Sequence, residues 1–146
     1  MDPTDIVHIQ QLMALYGHLL DDGQWHRLSE VFSDDALADY SSGATTRVLR
    51  GIEEIVAFFS TANASSAHHV SNVYVYEQDR QVRASTKFFV PYTRPEHQPH
   101  RWYGGNYEDV LVRTADGWRI GQRTVAGRWQ LTVDGDDSVP EHRRTF

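Results

Sequence analysis

An α+β fold, with helices segregated ahead of an antiparallel sheet, is what this 146-residue chain predicts. Three observations carry it. Apolar residues recur at helical spacings of three and four in three segments of the first 60 residues. From residue 69 the period becomes two, with β-branched and aromatic residues. The turns between the later runs are mostly short enough to join antiparallel neighbours.

The first helix opens at Asp2-Pro3, an acidic cap followed by a proline suited to the first helical position. Ile6, Ile9, Met13, Tyr16 and Leu20 form its apolar stripe, and Asp22-Gly23 stops it. A second helix from about Gln24 places Trp25, Leu28, Val31 and Phe32 on its inner face and breaks at Ser33-Asp34-Asp35. Residues 36–40 read as a short strand, 41–50 as a loop or ragged hairpin, and 52–60 as a third helix burying Ile52, Ile55, Val56 and Phe59. Strands then follow over 69–76, 81–92, 101–114 and 118–132. Gln78-Asp79-Arg80 and Ala115-Asp116-Gly117 make the turns, and two prolines mark 93–99 as an exposed loop. Gly104-Gly105 predicts a bulge, and Gly121 or Gly127 a kink in the last strand. The expected organisation is one domain over 1–132, then a polar tail, 133–146, either loose or exchanged with a partner copy.

Composition excludes several functions. There is no cysteine, hence no disulfide, thiolate zinc site or Cys nucleophile. A net charge of −6 argues against nucleic acid or an anionic membrane as the main partner. Lys87 is the lone lysine and so the single Schiff-base candidate. The N-terminus lacks a basic, then apolar, leader, and no stretch approaches the roughly 20 apolar residues of a membrane span. A soluble, cytoplasmic protein is expected, acting without cofactor or metal. His97 and His100 flank the proline loop beside Glu96, but no third spaced ligand completes a metal site.

Three clusters can carry chemistry. Tyr16 lies on the apolar stripe of the first helix, and Asp21 closes that helix where its dipole disfavours negative charge by up to ~1 kcal/mol. Such a local misfit marks a site of function or a solvated turn. His68 and His69 open a strand, where adjacent side chains point to opposite faces, so only one of them turns inward as a candidate base. Asn72 follows on the same strand, to orient a carbonyl or cap the loop. Tyr107 and Asp109 share one face of a later strand and Glu108 the other. A half-buried carboxylate there needs a partner, and Arg123 or Arg128 on the next strand would form a structural ion pair with it. Asp39 and Tyr40 are weaker candidates of the same kind. Trp25 and the other tryptophans fill the core or line a cavity.

Taken together, Tyr16-x4-Asp21, Trp25, the VFSDDA run (31–36), HHVSN (68–72), GGNYEDVLVR (104–113) and DGWRIGQRTV (116–125) resemble the opening, middle and closing motifs of SnoaL-like domains. These belong to the nuclear transport factor 2-like superfamily, with scytalone dehydratase, ketosteroid isomerase and hexachlorocyclohexane dehydrochlorinase as relatives. The resemblance spans about residues 5 to 128. It implies a cone-shaped α+β barrel: three N-terminal helices packed on a strongly curved, mostly antiparallel sheet enclosing one apolar pocket. It also implies a catalytic Asp–His pair at Asp21 and His68, with His69 the alternative if the register slips, and Tyr16 as donor to a substrate carbonyl. The isomerase's general-base position falls on Tyr40, which speaks against that mechanism. The isomerase's carboxylic-acid oxyanion donor falls on Asp109, and the dehydratase's second histidine has no match. Tyr107, Trp25, Tyr40, His69, Asn72 and Asp109 are the expected substrate contacts.

The expected function is a cofactor-independent lyase or isomerase (dehydratase, cyclase or double-bond isomerase) acting on a hydrophobic small molecule. The alternatives are a non-catalytic binding module and the small subunit of an aromatic-ring dioxygenase. Homo-oligomerisation is expected, with Val73, Val75, Phe89 and Trp129 at the interface.

Overall fold

The computed structural model describes residues 1–61, 65–93 and 100–133. Helix α1 (Pro3–Asp21) begins as the sequence predicts: the Asp2 carboxylate accepts the Thr4 N–H at 2.7 Å, with proline in the first turn. It buries Ile9, Leu12, Met13, Tyr16, Leu19 and Leu20 along one side. Gly23 then takes a left-handed backbone, φ +67°, and reverses the chain with the Trp25 ring packed against it.

The second helix is shorter and tighter than its pattern suggests. It is a six-residue 3-10 turn, Trp25–Glu30, burying Leu28. Phe32 leaves it to start strand β1 (Phe32–Asp39), whose pairing begins four residues earlier than expected. The cause is tertiary. The Ile120 N–H donates to the Val31 carbonyl, and Phe32 pairs with Ile120, so a distant strand captures the end of the helix. Ser33, Asp34 and Asp35 fall where the register shifts between Phe32 and Leu37, which leaves the two carboxylates in solvent. After a turn bridged at Ser42 and Thr45, β2 (Val48–Arg50) returns antiparallel to β1, completing the ragged hairpin. Helix α2 (Gly51–Ser60) buries Ile55 and Phe59.

The rest is sheet: β3 (Ser65–Ser66), β4 (His69–Gln78), β5 (Gln81–Thr93), β6 (His100–Thr114) and β7 (Gly117–Val133). Strand order is β2-β1-β7-β6-β5-β3, with β4 also on β5; β1 runs parallel to β7 and every other pair is antiparallel. The bend comes from two extra residues in β7. Gly121, one of the two expected kink positions, is unpaired between Ile120 and Gln122; the second extra residue is Arg128, next to Gly127 and opposite Gly104-Gly105. Such bulges sharpen twist and bend, and the sheet curls into a half-barrel around α1. The core lies between them, from Ile9 and Met13 through Phe32 and Ala84 to Ile120.

Two expectations fall elsewhere. Val73 and Val75 do not share a surface with Phe89 and Trp129. Val75 pairs with buried Ala84, and both valines pack against the core. His97, Glu96 and the tail, 134–146, lie outside the described residues.

Candidate active site

The inner face of the curled sheet and one side of α1 enclose a cavity of about 520 Å³. Its walls are aromatic: Tyr16 and Trp25 from the helical side, Phe58 and Phe59 from α2, and Tyr92, Tyr103 and Tyr107 from β5 and β6. Period-two alternation puts Phe88, Val90 and Tyr92 on one face of β5. Tyr92, absent from the expected substrate contacts, is therefore a wall residue that this alternation signals.

Asp21, the last residue of α1, meets the β3–β4 junction. Its Oδ1 lies 2.6 Å from His68 Nδ1 and accepts the Ser66 hydroxyl at 2.8 Å, while Oδ2 accepts the His68 backbone N–H at 2.7 Å. Burial alone would raise this carboxyl's pKa. The hydrogen bonds from the His68 ring and backbone and from Ser66 outweigh it and hold the group below its ordinary value. The ring's position is set twice, once through the backbone and once through Nδ1. Asp21 is behind the imidazole, not in the cavity lining, whereas His68 is in the lining. With Nδ1 committed to Asp21, Nε2 on the far side of the ring is the nitrogen available to the cavity. Gly17 of α1 lets the strand carrying His68 pack close against the helix: an added Cβ there would come within 3.2 Å of His68 Cβ.

Tyr16 is 1% exposed and its ring meets Phe32, Phe59, His68 and Tyr107 edge-on. Its hydroxyl shares a 2.9 Å hydrogen bond with that of Tyr40, at the end of β1. Burial pushes Tyr16, Tyr40 and Tyr107 above the ordinary phenol value, so all three remain protonated donors at neutral pH.

Beneath these phenols lies Arg123 of β7, its guanidinium 4.3 Å from the ring centres of both Tyr16 and Tyr107. Nε and Nη2 donate to the two Asp109 oxygens at 2.8 Å each, and both side chains are fully buried. Burial pushes the Asp109 carboxyl up and Arg123 opposes that; burial likewise disfavours the guanidinium charge, and Asp109 more than restores it. The bidentate geometry is that of an ion pair. Asp109 thus accepts hydrogen bonds from Arg123 and does not line the cavity, an arrangement unlike a carboxylic acid donating to an oxyanion.

The remaining candidates separate. Tyr40, Tyr107 and Trp25 line the cavity. His69 is exposed, stacked on Phe89 at 5.7 Å on the outer face of the sheet. Asn72 is also exposed, with φ +51° in the bulge between Ser71 and Tyr74. Neither belongs to the cavity wall. Arg128 pairs with Asn106 at 3.2 Å, not with Asp109. Ser66 carries no local signal of its role, because nothing in a short polar run says which hydroxyl the fold brings to Asp21. Among the described residues no cluster of three His, Asp or Glu is arranged to hold a metal.

A curled mixed sheet closed by helices around one aromatic cavity defines the cone-shaped α+β proteins of the nuclear transport factor 2-like type. Within that class the chain belongs to the SnoaL-like domain family, whose model matches residues 2–124. An uncharacterized protein of Mycobacterium tuberculosis is 28% identical over 126 residues, covering 82% of this chain and 83% of the relative. A type 2 hexachlorocyclohexane dehydrochlorinase superposes with a TM-score of 0.80 at 15% identity, covering 97% and 99% of the two chains. A provisionally assigned scytalone dehydratase of Novosphingobium aromaticivorans gives 0.73 at 17%, covering 94% and 93%. At these identities the structural likeness speaks to the fold. No helix among the described residues is long and apolar enough to cross a membrane.

Proposed function

We propose that the protein is a cofactor-independent acid–base catalyst, a lyase or isomerase, for a hydrophobic small molecule held in the aromatic cavity. The observation carrying this reading is the Asp21–His68 pair, 2.6 Å apart through Nδ1, with His68 in the cavity lining. Nε2 takes a proton from a carbon beside a carbonyl or leaving group; Nδ1–H stays on Asp21, whose carboxylate stabilises the imidazolium. The electron pair released moves onto the carbonyl oxygen, which receives a hydrogen bond from the Tyr16–Tyr40 pair. Return of the proton to another carbon completes an isomerisation. Return to a departing hydroxyl completes a dehydration. The relatives described as a dehydrochlorinase and a dehydratase support elimination as the reaction class.

Proton abstraction is measurable without knowing the natural substrate. Cyclic ketones that bind, such as 1-tetralone, are incubated in D2O and deuterium uptake beside the carbonyl is followed by NMR. The wild type is expected to accelerate exchange, His68→Ala to return it to the solution rate, and Asp21→Asn to lower it by about 10²–10⁴-fold. Tyr16→Phe should slow exchange with little change in ketone affinity. Exchange at the wild-type rate in His68→Ala, or no acceleration by a wild type that binds the ketones, would refute the mechanism. The latter result would identify a carrier.

A further inference from the structure

The charges lining the cavity are of one sign. In a chain of net charge −6, no Asp or Glu among the described residues is part of the wall, whereas Arg47 and Arg101 are. Neither arginine has a carboxylate partner among the described residues. Arg47 comes from the turn between β1 and β2, and its guanidinium lies 4.8 Å above the Phe58 ring. Stacking of this kind holds the group in place through its face and leaves the in-plane N–H donors free. Arg101 opens β6, paired with Tyr92, which is in turn paired with Ser66. Two strand spacings, about 10 Å, therefore separate the Arg101 backbone from that of Ser66, the residue bonded to Asp21. Arg101 is thus carried on the same stretch of sheet as the Ser66 end of the Ser66–Asp21–His68 cluster, and both Arg101 and His68 line the cavity.

Among the described residues, the cavity wall of this acidic protein holds two guanidinium groups without a carboxylate partner and no carboxylate, a lining suited to a ligand that carries negative charge. We propose that the substrate class is an aromatic or alicyclic carboxylate: an apolar ring system with its carboxylate on Arg47 and Arg101 and its reacting carbon toward His68. Arg47 and Arg101 are then specificity residues of the site described above. The orientation of the ring system rests on that reading of the site, whereas carboxylate binding does not.

The test is binding of naphthalene-2-carboxylate against methyl naphthalene-2-carboxylate, by calorimetry at low salt, with benzoate and anthracene-2-carboxylate extending the series. The acid is expected to bind about tenfold or more tighter than the ester, as hydrogen bonds to charged groups allow. Arg47→Gln and Arg101→Gln should each weaken acid binding severalfold and leave ester binding unchanged, and the double variant should erase the preference. Arg80→Gln, in the exposed β4–β5 turn, removes the same charge elsewhere and should change nothing. Equal affinity for acid and ester, a preference surviving in the double variant, or no binding of any acid in the series overturns the proposal. Acid binding intact in His68→Ala, with deuterium exchange unaffected by that substitution, would sink the catalytic reading alone.

Discussion

The Asp109–Arg123 pair offers the sharpest test of how the site is held up. Both side chains are fully buried, joined by two hydrogen bonds of 2.8 Å, and the guanidinium lies between the Tyr16 and Tyr107 rings. In Asp109→Asn one of those bonds becomes an amide N–H facing a guanidinium N–H. No solvent reaches the site to replace the lost acceptor, and the charge of Arg123 is left with one amide oxygen, the Met13 sulfur at 3.4 Å and the aromatic faces, with no counter-charge. Breaking a buried pair in this way costs about 3–5 kcal/mol. At about 3 °C per kcal/mol for a chain of this size, the midpoint of thermal unfolding should fall by about 10–15 °C. Replacing both partners, Asp109→Leu with Arg123→Met, removes the charge and fills similar volume, so it should recover most of the loss. Urea unfolding followed by tryptophan fluorescence would measure both variants, compared at equal m-value. A cost below about 1 kcal/mol for Asp109→Asn, or a double variant no more stable than the single one, would show that the pair is not the buried ionic unit described.

Two further predictions follow from the same geometry. Asp21 has a folded-state pKa below its unfolded value, so its contribution to stability is fully present above about pH 4 and is lost as pH falls through the folded value. The stability difference between wild type and Asp21→Asn should therefore shrink on acidification below pH 4, and a difference independent of pH there would contradict the assignment. At the β6 bulge, a Cβ on Gly105 would come within 2.3 Å of the Ala126 carbonyl, whereas on Gly104 it would meet the half-exposed Trp129 ring. Gly105→Ala must push β6 and β7 apart and should cost about 1–3 kcal/mol. Gly104→Ala can turn the indole aside, with a smaller loss and a changed tryptophan emission; the reverse order in urea midpoints would refute this.

How much of the molecule is readable from sequence differs by element. The Asp2 cap, the α1 stripe and the paired runs of β5, β6 and β7 follow from local periodicity, and they sit where the pattern puts them. Asp21 is conspicuous because a carboxylate at a helix C-terminus is locally unfavourable, and the strain is answered by Ser66 and His68, 45 and 47 residues away. The second helix misleads, because pairing of Phe32 with Ile120 prevails over an apolar pattern that suits either structure. His68 and His69 are distinguished only once β3, β4 and Gly17 have set the register.

By itself, then, the sequence determined the class of fold, the helical and extended periods, the family, and the residue types available for chemistry: carboxylate, imidazole, phenol and guanidinium, without thiol. The periods and residue types are local or compositional, and the fold class and family follow from the order of short motifs along the chain, from Tyr16 to Val125. Only the tertiary structure decided which of those groups meet. It put Asp21 on His68, buried Asp109 under Arg123 and away from the cavity, turned His69 and Asn72 to the surface, and brought both Arg47 and Arg101 to the cavity lining. Such meetings depend on strand register and on where two bulges bend β7. A shift of one residue reverses every side chain, and only the packing of the whole sheet on α1 selects between the two faces.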